Sequence, residues 1–94
     1  MVKVRLRFVG ILQQYTGASD IELEMEDGAT LRNVFGEIGK RWGDRFPPEF
    51  WDREGSVFSE RITVQSDKRP IKDLELRMED GECLVVVLPL AGGY

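Results

Sequence analysis

Two adjacent glycines, Gly92 and Gly93, are the residues of this sequence best suited to chemistry. They follow closely on an unbroken apolar run over residues 84–88. Glycine has no Cβ, so a Gly-Gly segment can become extended and thread a narrow channel. A folded domain with such a tail could present the Gly93 carboxylate to another protein's active site, once Tyr94, which encloses it in a peptide bond, is removed. An ordinary frayed chain end is the alternative, because chain ends are often small and poorly ordered.

No second group of residues in the sequence could form a catalytic or metal site. The sequence has no histidine, which is the commonest general base and metal ligand. Its one cysteine, Cys83, cannot build a zinc site alone and is predicted to be a small buried apolar residue. Neither the phosphate-binding loop motif nor the dinucleotide fingerprint is present. We therefore predict that the protein is not an enzyme by itself and has no catalytic residues, cofactor or metal.

Composition restricts the partners and the location. The 94 residues are enough for one domain with one core. A net charge of −4 argues against nucleic acid as a partner, because proteins that bind it usually present a basic face. No apolar run approaches the roughly 20 residues that span a bilayer, and residues 1–7 alternate where a signal peptide would be continuously apolar. With a single cysteine, these features predict a cytoplasmic protein that does not bind membranes.

Alternating apolar and charged residues predict two strands, over residues 2–8 and 20–26, each with one buried face. Residues 10–17 between them are predicted to be a connecting loop. We expect the exposed faces of these strands to place a basic stripe beside an acidic one: Lys3, Arg5 and Arg7 beside Glu22 and Glu24.

One long helix is predicted over residues 31–42. Thr30 stands where an N-cap hydroxyl is expected, and Gly43 where the helix should end. Apolar residues recur at helical spacing and form a single stripe: Leu31, Val34, Phe35, Ile38 and Trp42. Gly36 and Gly39 each cost an isolated helix about 1 kcal/mol relative to alanine. Packing of the apolar stripe must therefore stabilise the helix.

The second half of the chain supplies the remaining strands. Residues 44–60 are predicted to be a long loop pinned by aromatic side chains, residues 62–66 a short strand and residues 74–78 a candidate minor strand. Residues 83–88 are apolar throughout, which predicts a central strand that is covered on both faces and parallel to the first strand. The elements predict an α+β domain. We expect the helix to pack on the first and last strands: Leu31, Phe35 and Ile38 against Val4, Leu6, Val85 and Val87.

Several segments together resemble the MoaD/ThiS-like sulfur-carrier family. The resemblance covers nearly the whole chain, and the insert over residues 44–60 makes it closest to the longer MoaD-like members. The other matching segments are the first strand with its connection, the entry to the helix, the Asp-Gly turn before the last strand and the tail: residues 2–17, 27–31, 78–82 and 89–93.

The resemblance implies a ubiquitin-like β-grasp domain over residues 1–88, with a mixed sheet of four to five strands packed on one main helix, and a flexible tail over residues 89–94. It also implies that a JAMM-type metalloprotease removes Tyr94. An adenylating enzyme of the MoeB/ThiF type would then use ATP to adenylate Gly93, and sulfur would displace AMP to leave a thiocarboxylate. The part of the tail inserted into the partner would be Pro89, Leu90, Ala91 and Gly92.

Three destinations stay open. In the first, the protein is the small subunit of molybdopterin synthase in molybdenum or tungsten cofactor biosynthesis, with the large subunit as its partner. In the second, it carries sulfur for cysteine or methionine synthesis and meets a sulfhydrylase. In the third, it is a ubiquitin-like protein modifier or an interaction domain without carrier activity.

Overall fold

A computed structural model describes residues 1–89 of the chain. Its elements, in chain order, are β1 (Val2–Phe8), α1 (Ile11–Thr16), β2 (Asp20–Met25), α2 (Leu31–Trp42), β3 (Trp51–Asp52), β4 (Val57–Phe58), β5 (Thr63–Ser66) and β6 (Glu82–Val87). The four main predicted strands and the long helix are present, with bounds that differ from the prediction by about one residue.

The main sheet has the order β2-β1-β6-β5. Strand β6 runs parallel to β1 and antiparallel to β5, while β1 and β2 are antiparallel. The prediction of a central last strand parallel to the first is confirmed. The acidic and basic stripes also lie side by side, because Lys3 faces Glu24 and Arg5 faces Glu22 in the β1–β2 register.

Helix α2 lies across one face of this sheet and buries the whole of its predicted apolar stripe. Thr30 is the N-cap: its hydroxyl accepts from the Asn33 N–H, and the Asn33 side chain accepts from the Thr30 N–H. These reciprocal bonds satisfy amides that the first turn of a helix leaves without partners.

Residues 10–17 are not the loop that alternation predicted, because residues 11–16 form the short helix α1. Leu12 and Thr16 are buried one turn apart, and Gly17 closes the helix in the left-handed conformation, with φ of 72°. The Thr16 hydroxyl donates to the Leu12 carbonyl at 3.1 Å. The apolar contact of Leu12 stabilises a helix too short to persist alone.

The prediction that Val85 and Val87 of β6 pack against the helix was wrong. Leu84 and Val86, with no exposed surface, point into the core, whereas Val85 and Val87 are half-buried on the opposite face. In a strand, side chains alternate between faces, so an error of one residue exchanges the two sets. β6 is therefore covered by the helix on one face only.

Two segments of the second half also differ from the prediction. Residues 44–60 include the small hairpin β3–β4, and its aromatic residues pack inward, with Trp51 and Phe46 each 2% exposed. Residues 74–78 do not form a strand: Leu74 and Glu75 lie in a turn, and Arg77 makes one isolated bridge with Thr30. Backbone amides of Leu31 and Arg32 donate to the Leu76 and Leu74 carbonyls at 2.8 and 2.9 Å. The segment therefore serves as a second cap for α2.

Candidate functional site

The base of the predicted tail lies where β6 leaves the sheet. On one side Val86 pairs with Phe8 of β1, and on the other Val87 pairs with Thr63 of β5. The Val9 amide adds a further bond to the Val86 carbonyl at 3.0 Å. Leu88 is half-buried and Pro89 is exposed. The chain thus leaves a strand that is hydrogen-bonded on both sides and reaches solvent within two residues.

The other predicted tail residues lie outside the described residues. These are Leu90, Ala91, Gly92, Gly93 and Tyr94. The predicted boundary between domain and tail is likewise not tested by the described part of the chain, although the last regular element ends at Val87.

The open face of the sheet carries three bands beside the base of the tail. An apolar strip on β6, formed by Cys83, Val85 and Val87, is half-buried. The next band is basic and lies on β1, and the outermost is acidic and lies on β2. Arg5 and Arg7 both pair with Asp20, at 3.5 and 3.4 Å. This face can offer a partner apolar contact and charge within one strand spacing of each other.

Two exposed apolar residues follow β1, at the end of the sheet from which the tail leaves. Val9 follows β1 directly and is 36% exposed, and Ile11 begins α1 and is 41% exposed. Exposed apolar residues close to one another indicate contact surfaces more strongly than isolated ones do.

A buried ionic cluster holds the other end of β6. Glu82 is fully buried, and its carboxylate accepts from the Arg69 guanidinium, from the Ser66 hydroxyl and from the Glu79 N–H at 2.9 Å. Burial raises the pKa of Glu82, but the bonds from Arg69, Ser66 and Glu79 outweigh it and hold the pKa below its usual value. The cluster ties the segment between β5 and β6 to the sheet.

Sequence reasoning missed this cluster. The sequence pattern places Glu82 in the turn before the last strand and indicates no role for Ser66 and Arg69. The available signal is the position of Glu82, which stands two residues before Leu84 and therefore on the same face of β6. A charged residue at a core position requires an ionic partner.

Residues 1–89 do not have the arrangement of a metal centre. No cluster of three potential ligands for a metal ion occurs in this part of the chain. Burial raises the pKa of the Cys83 thiol, so the reactive thiolate is disfavoured at neutral pH. Within the same residues, no helix is both long and apolar enough to cross a membrane.

No protein-family model and no curated protein matches the sequence, whereas solved structures do. A Pyrococcus furiosus protein proposed to be molybdopterin converting factor, subunit 1, superposes with a TM-score of 0.73 at 23% identity, over 96% of this chain and 100% of that one. SAMP1 from Haloferax volcanii superposes with a TM-score of 0.77 at 14% identity, over 97% and 99% of the chains. A ubiquitin from Caldiarchaeum subterraneum superposes with a TM-score of 0.54 at 23% identity, over 98% of each chain.

The fold is the ubiquitin-like β-grasp. At these identities the likeness establishes the fold and not the activity. Its neighbours are MoaD-like and ubiquitin-like β-grasp proteins, as the resemblance predicted, and the comparison covers nearly the full length of this chain.

Proposed function

We propose that the protein is a sulfur carrier whose reactive group is the carboxylate of Gly93, exposed by removal of Tyr94. The observation that carries the proposal is the position of the Gly-Gly pair. It follows, after a short spacer beginning at the exposed Pro89, the central strand of a β-grasp sheet. The fold neighbours support a carrier rather than an enzyme, since they include a proposed converting-factor subunit and SAMP1.

The chemistry would take place in the active site of a partner. The Gly93 carboxylate would attack the α-phosphorus of ATP, forming an acyl-adenylate and releasing pyrophosphate. Hydrosulfide, or an equivalent sulfur nucleophile, would then attack the acyl carbon and displace AMP, leaving a thiocarboxylate and a proton. Neither step requires an acid or base from the carrier. Pro89 has a fixed φ, which lowers the entropy lost when the base of the tail is ordered in the partner.

The open face of the sheet would dock against the adenylating enzyme, which we propose to be of the MoeB/ThiF type. The apolar strip with Val85 and Val87 lies beside the base of the tail, so contact there would direct the tail into the enzyme. The flanking charges of Arg5 and Arg7 are already paired with Asp20 and would contribute chiefly to orientation.

As the destination of the sulfur we propose molybdopterin synthase, in which this chain would be the small subunit. The structural likeness to the proposed converting-factor subunit 1 favours this choice. The likeness to SAMP1, described as a small archaeal modifier protein, favours conjugation to other proteins as the second candidate. Transfer to a sulfhydrylase for cysteine or methionine synthesis is the third.

The test uses two forms of the protein, one ending at Gly93 and one at Tyr94. Each is incubated with the adenylating enzyme of its source organism, ATP and sodium sulfide, and is then weighed by intact-protein mass spectrometry. We expect the Gly93 form to gain the mass of sulfur replacing oxygen, and the Tyr94 form to remain unchanged unless a JAMM-type metalloprotease is added. A Gly92→Val change in the Gly93 form is the matched control. It should abolish the mass gain, because a branched side chain obstructs a narrow channel.

The results distinguish the candidates. Thiocarboxylation at Tyr94, or no adenylation of the Gly93 form by any such enzyme, would refute the proposal. Transfer of sulfur from the charged protein to a molybdopterin precursor, with the synthase large subunit present, supports the first destination. Transfer only to a sulfhydrylase substrate, or appearance of the chain on lysines of other proteins, would replace it with the corresponding alternative.

A further inference from the structure

Strand β2 forms a free edge of the main sheet, on the side away from β6. Among residues 1–89, β2 pairs with β1 alone, so its outer backbone groups have no strand partner. The Phe8 amide donates to the Ser19 carbonyl at 2.9 Å, so Ser19 directs its backbone groups toward β1. In an antiparallel pair, every second residue of a strand bonds to the neighbouring strand and the residues between them direct their backbone groups away from it. The backbone groups of Asp20, Glu22 and Glu24 therefore point outward.

A groove of about 560 Å³ opens at the end of this edge, between the segment after β2 and helix α2. Met25 and Ala29, both buried, contribute to its lining on the sheet side, and Gly36 and Glu37 contribute on the helix side. The groove therefore lies next to the free edge of β2, on the face of the sheet that α2 covers.

No neighbouring atom among the described residues requires a glycine at position 36. A Cβ built at Gly36 meets no atom within 4 Å, whereas one built at Gly39 lies 3.0 Å from the Trp51 ring. A glycine within a helix costs about 1 kcal/mol relative to alanine and usually has a packing or functional reason. Contact with Trp51 supplies that reason at Gly39. At Gly36 the open space faces the groove, where another backbone could approach closely.

The charges of this edge specify the occupant. Glu22, Glu24 and Glu26 make no ion pair with another residue of the described chain. The two cations beside the groove are already engaged, since Arg32 pairs with Glu75 at 2.6 Å and Lys40 with Glu37 at 3.9 Å. A basic segment would therefore find unpaired carboxylates along the edge.

We propose that an extended, basic segment of another protein adds to β2 as a fifth strand of the sheet. Successive side chains of a strand point to opposite faces, so its small or apolar residues would enter the groove over Gly36. Its lysines or arginines would lie on the other face beside Glu22 and Glu24. A second copy of this chain does not fit, because antiparallel pairing of two β2 edges would bring these glutamates against each other. The surface lies at β2, which β1 separates from β6 and Pro89, and does not depend on carrier chemistry.

The test titrates the isotope-labelled protein with a synthetic peptide of about eight residues that alternates lysine with valine. Amide shifts and hydrogen exchange are followed by NMR. We expect shifts confined to residues 20–29 and Gly36, and slower exchange at Asp20, Glu22 and Glu24. A peptide that alternates glutamate with valine should not bind. Binding of both peptides alike, shifts confined to the open face, or the absence of binding would overturn the proposal.

Two variants test the backbone pairing and the groove separately. Glu22→Pro removes an outward N–H that bonds nothing within the sheet, and Glu22→Gln keeps that N–H while removing the charge. Gly36→Leu adds a bulky apolar side chain at a position that lines the groove and where a Cβ meets no atom within 4 Å. We expect Glu22→Pro and Gly36→Leu each to weaken binding by roughly tenfold or more, and Glu22→Gln to weaken it less. Unchanged binding by Gly36→Leu, or self-association of the protein through β2, would refute the inference.

Discussion

Leu84 and Val86 are completely buried on the helix side of β6, whereas Cys83, Val85 and Val87 remain half-buried on the open side. Both sets are apolar and lie on one strand, so residue type does not distinguish a core face from a contact face. The difference comes from what covers each face: α2 on one, and no element of the described chain on the other. The same strand can therefore stabilise the domain with one set of side chains and present a surface with the other.

The largest effect should follow a change in the helix that covers the core face. Phe35 is 5% exposed and packs edge-on against Phe58 at 5.4 Å between ring centroids. We expect Phe35→Ala to lower the free energy of unfolding by about 3–5 kcal/mol, because it removes a buried aromatic ring and leaves a cavity. Chemical denaturation followed by circular dichroism measures this loss. A loss below about 1 kcal/mol would mean that the Phe35 ring is not packed in the core as described.

A matched pair of valines on β6 compares the faces directly. Val86→Ala should cost about 2–3 kcal/mol of unfolding free energy, since the side chain is fully buried. Val85→Ala should cost less than about 1 kcal/mol, because Val85 is only half-buried. Under the proposed function, Val85→Ala should nevertheless weaken binding to the adenylating enzyme in a titration. Equal losses of stability for the two variants would contradict the assignment of the faces.

Glu82 sharpens the comparison because it is a charged residue on the covered face. Its folded pKa is lowered, so its stabilising effect is complete above the ordinary glutamate pKa, near ~4.3, and is lost as the pH falls through the folded value. At pH ~7 we expect Glu82→Gln to lose about 1–3 kcal/mol of unfolding free energy, with the difference from wild type shrinking as the pH falls below about 5.

Denaturant melts at several pH values measure this difference, and Glu79→Gln is the matched control. Glu79 also pairs with Arg69, at 3.2 Å, but its side chain is 55% exposed. Exposed ion pairs contribute little to stability, so this control should change little at any pH. If Glu82→Gln loses the same stability at every pH, the buried carboxylate is not the titrating group.

The smallest expected effects distinguish two sides of α2. Gly36→Ala should raise the unfolding free energy by up to about 1 kcal/mol, because alanine favours the helix and meets no neighbour. Gly39→Ala should lower it, since its Cβ would lie 3.0 Å from the buried ring of Trp51, which Phe46 and Phe58 also contact. Thermal melts compare the two. Stabilisation of similar size at both positions would show that the Trp51 ring can move aside.

The sequence allowed the strands, the long helix and the parallel central strand to be predicted, because alternation and helical spacing are local patterns. The helix over residues 11–16 was missed because six residues give too short a pattern, although Leu12, Thr16 and Gly17 carry its signal. The faces of β6 could not be assigned because apolar residues at every position leave no alternation. The carbonyls of Leu74 and Leu76 accept hydrogen bonds from the first amides of α2, which lie more than 40 residues earlier in the chain. No local sequence pattern predicts such contacts.

The position of β6 has a consequence for the order of folding. It is the last regular element of the described chain, yet it fills the centre of the sheet. Before it is synthesised, β1 has only β2 as a partner, and a two-stranded hairpin is marginally stable in water. The acceptors that cap α2 also come from residues 74 and 76, late in the chain. Under the proposed function, a partner that recognises the sheet beside Val85 would therefore act only on chains that have finished folding, and correct folding would be a condition for loading the tail.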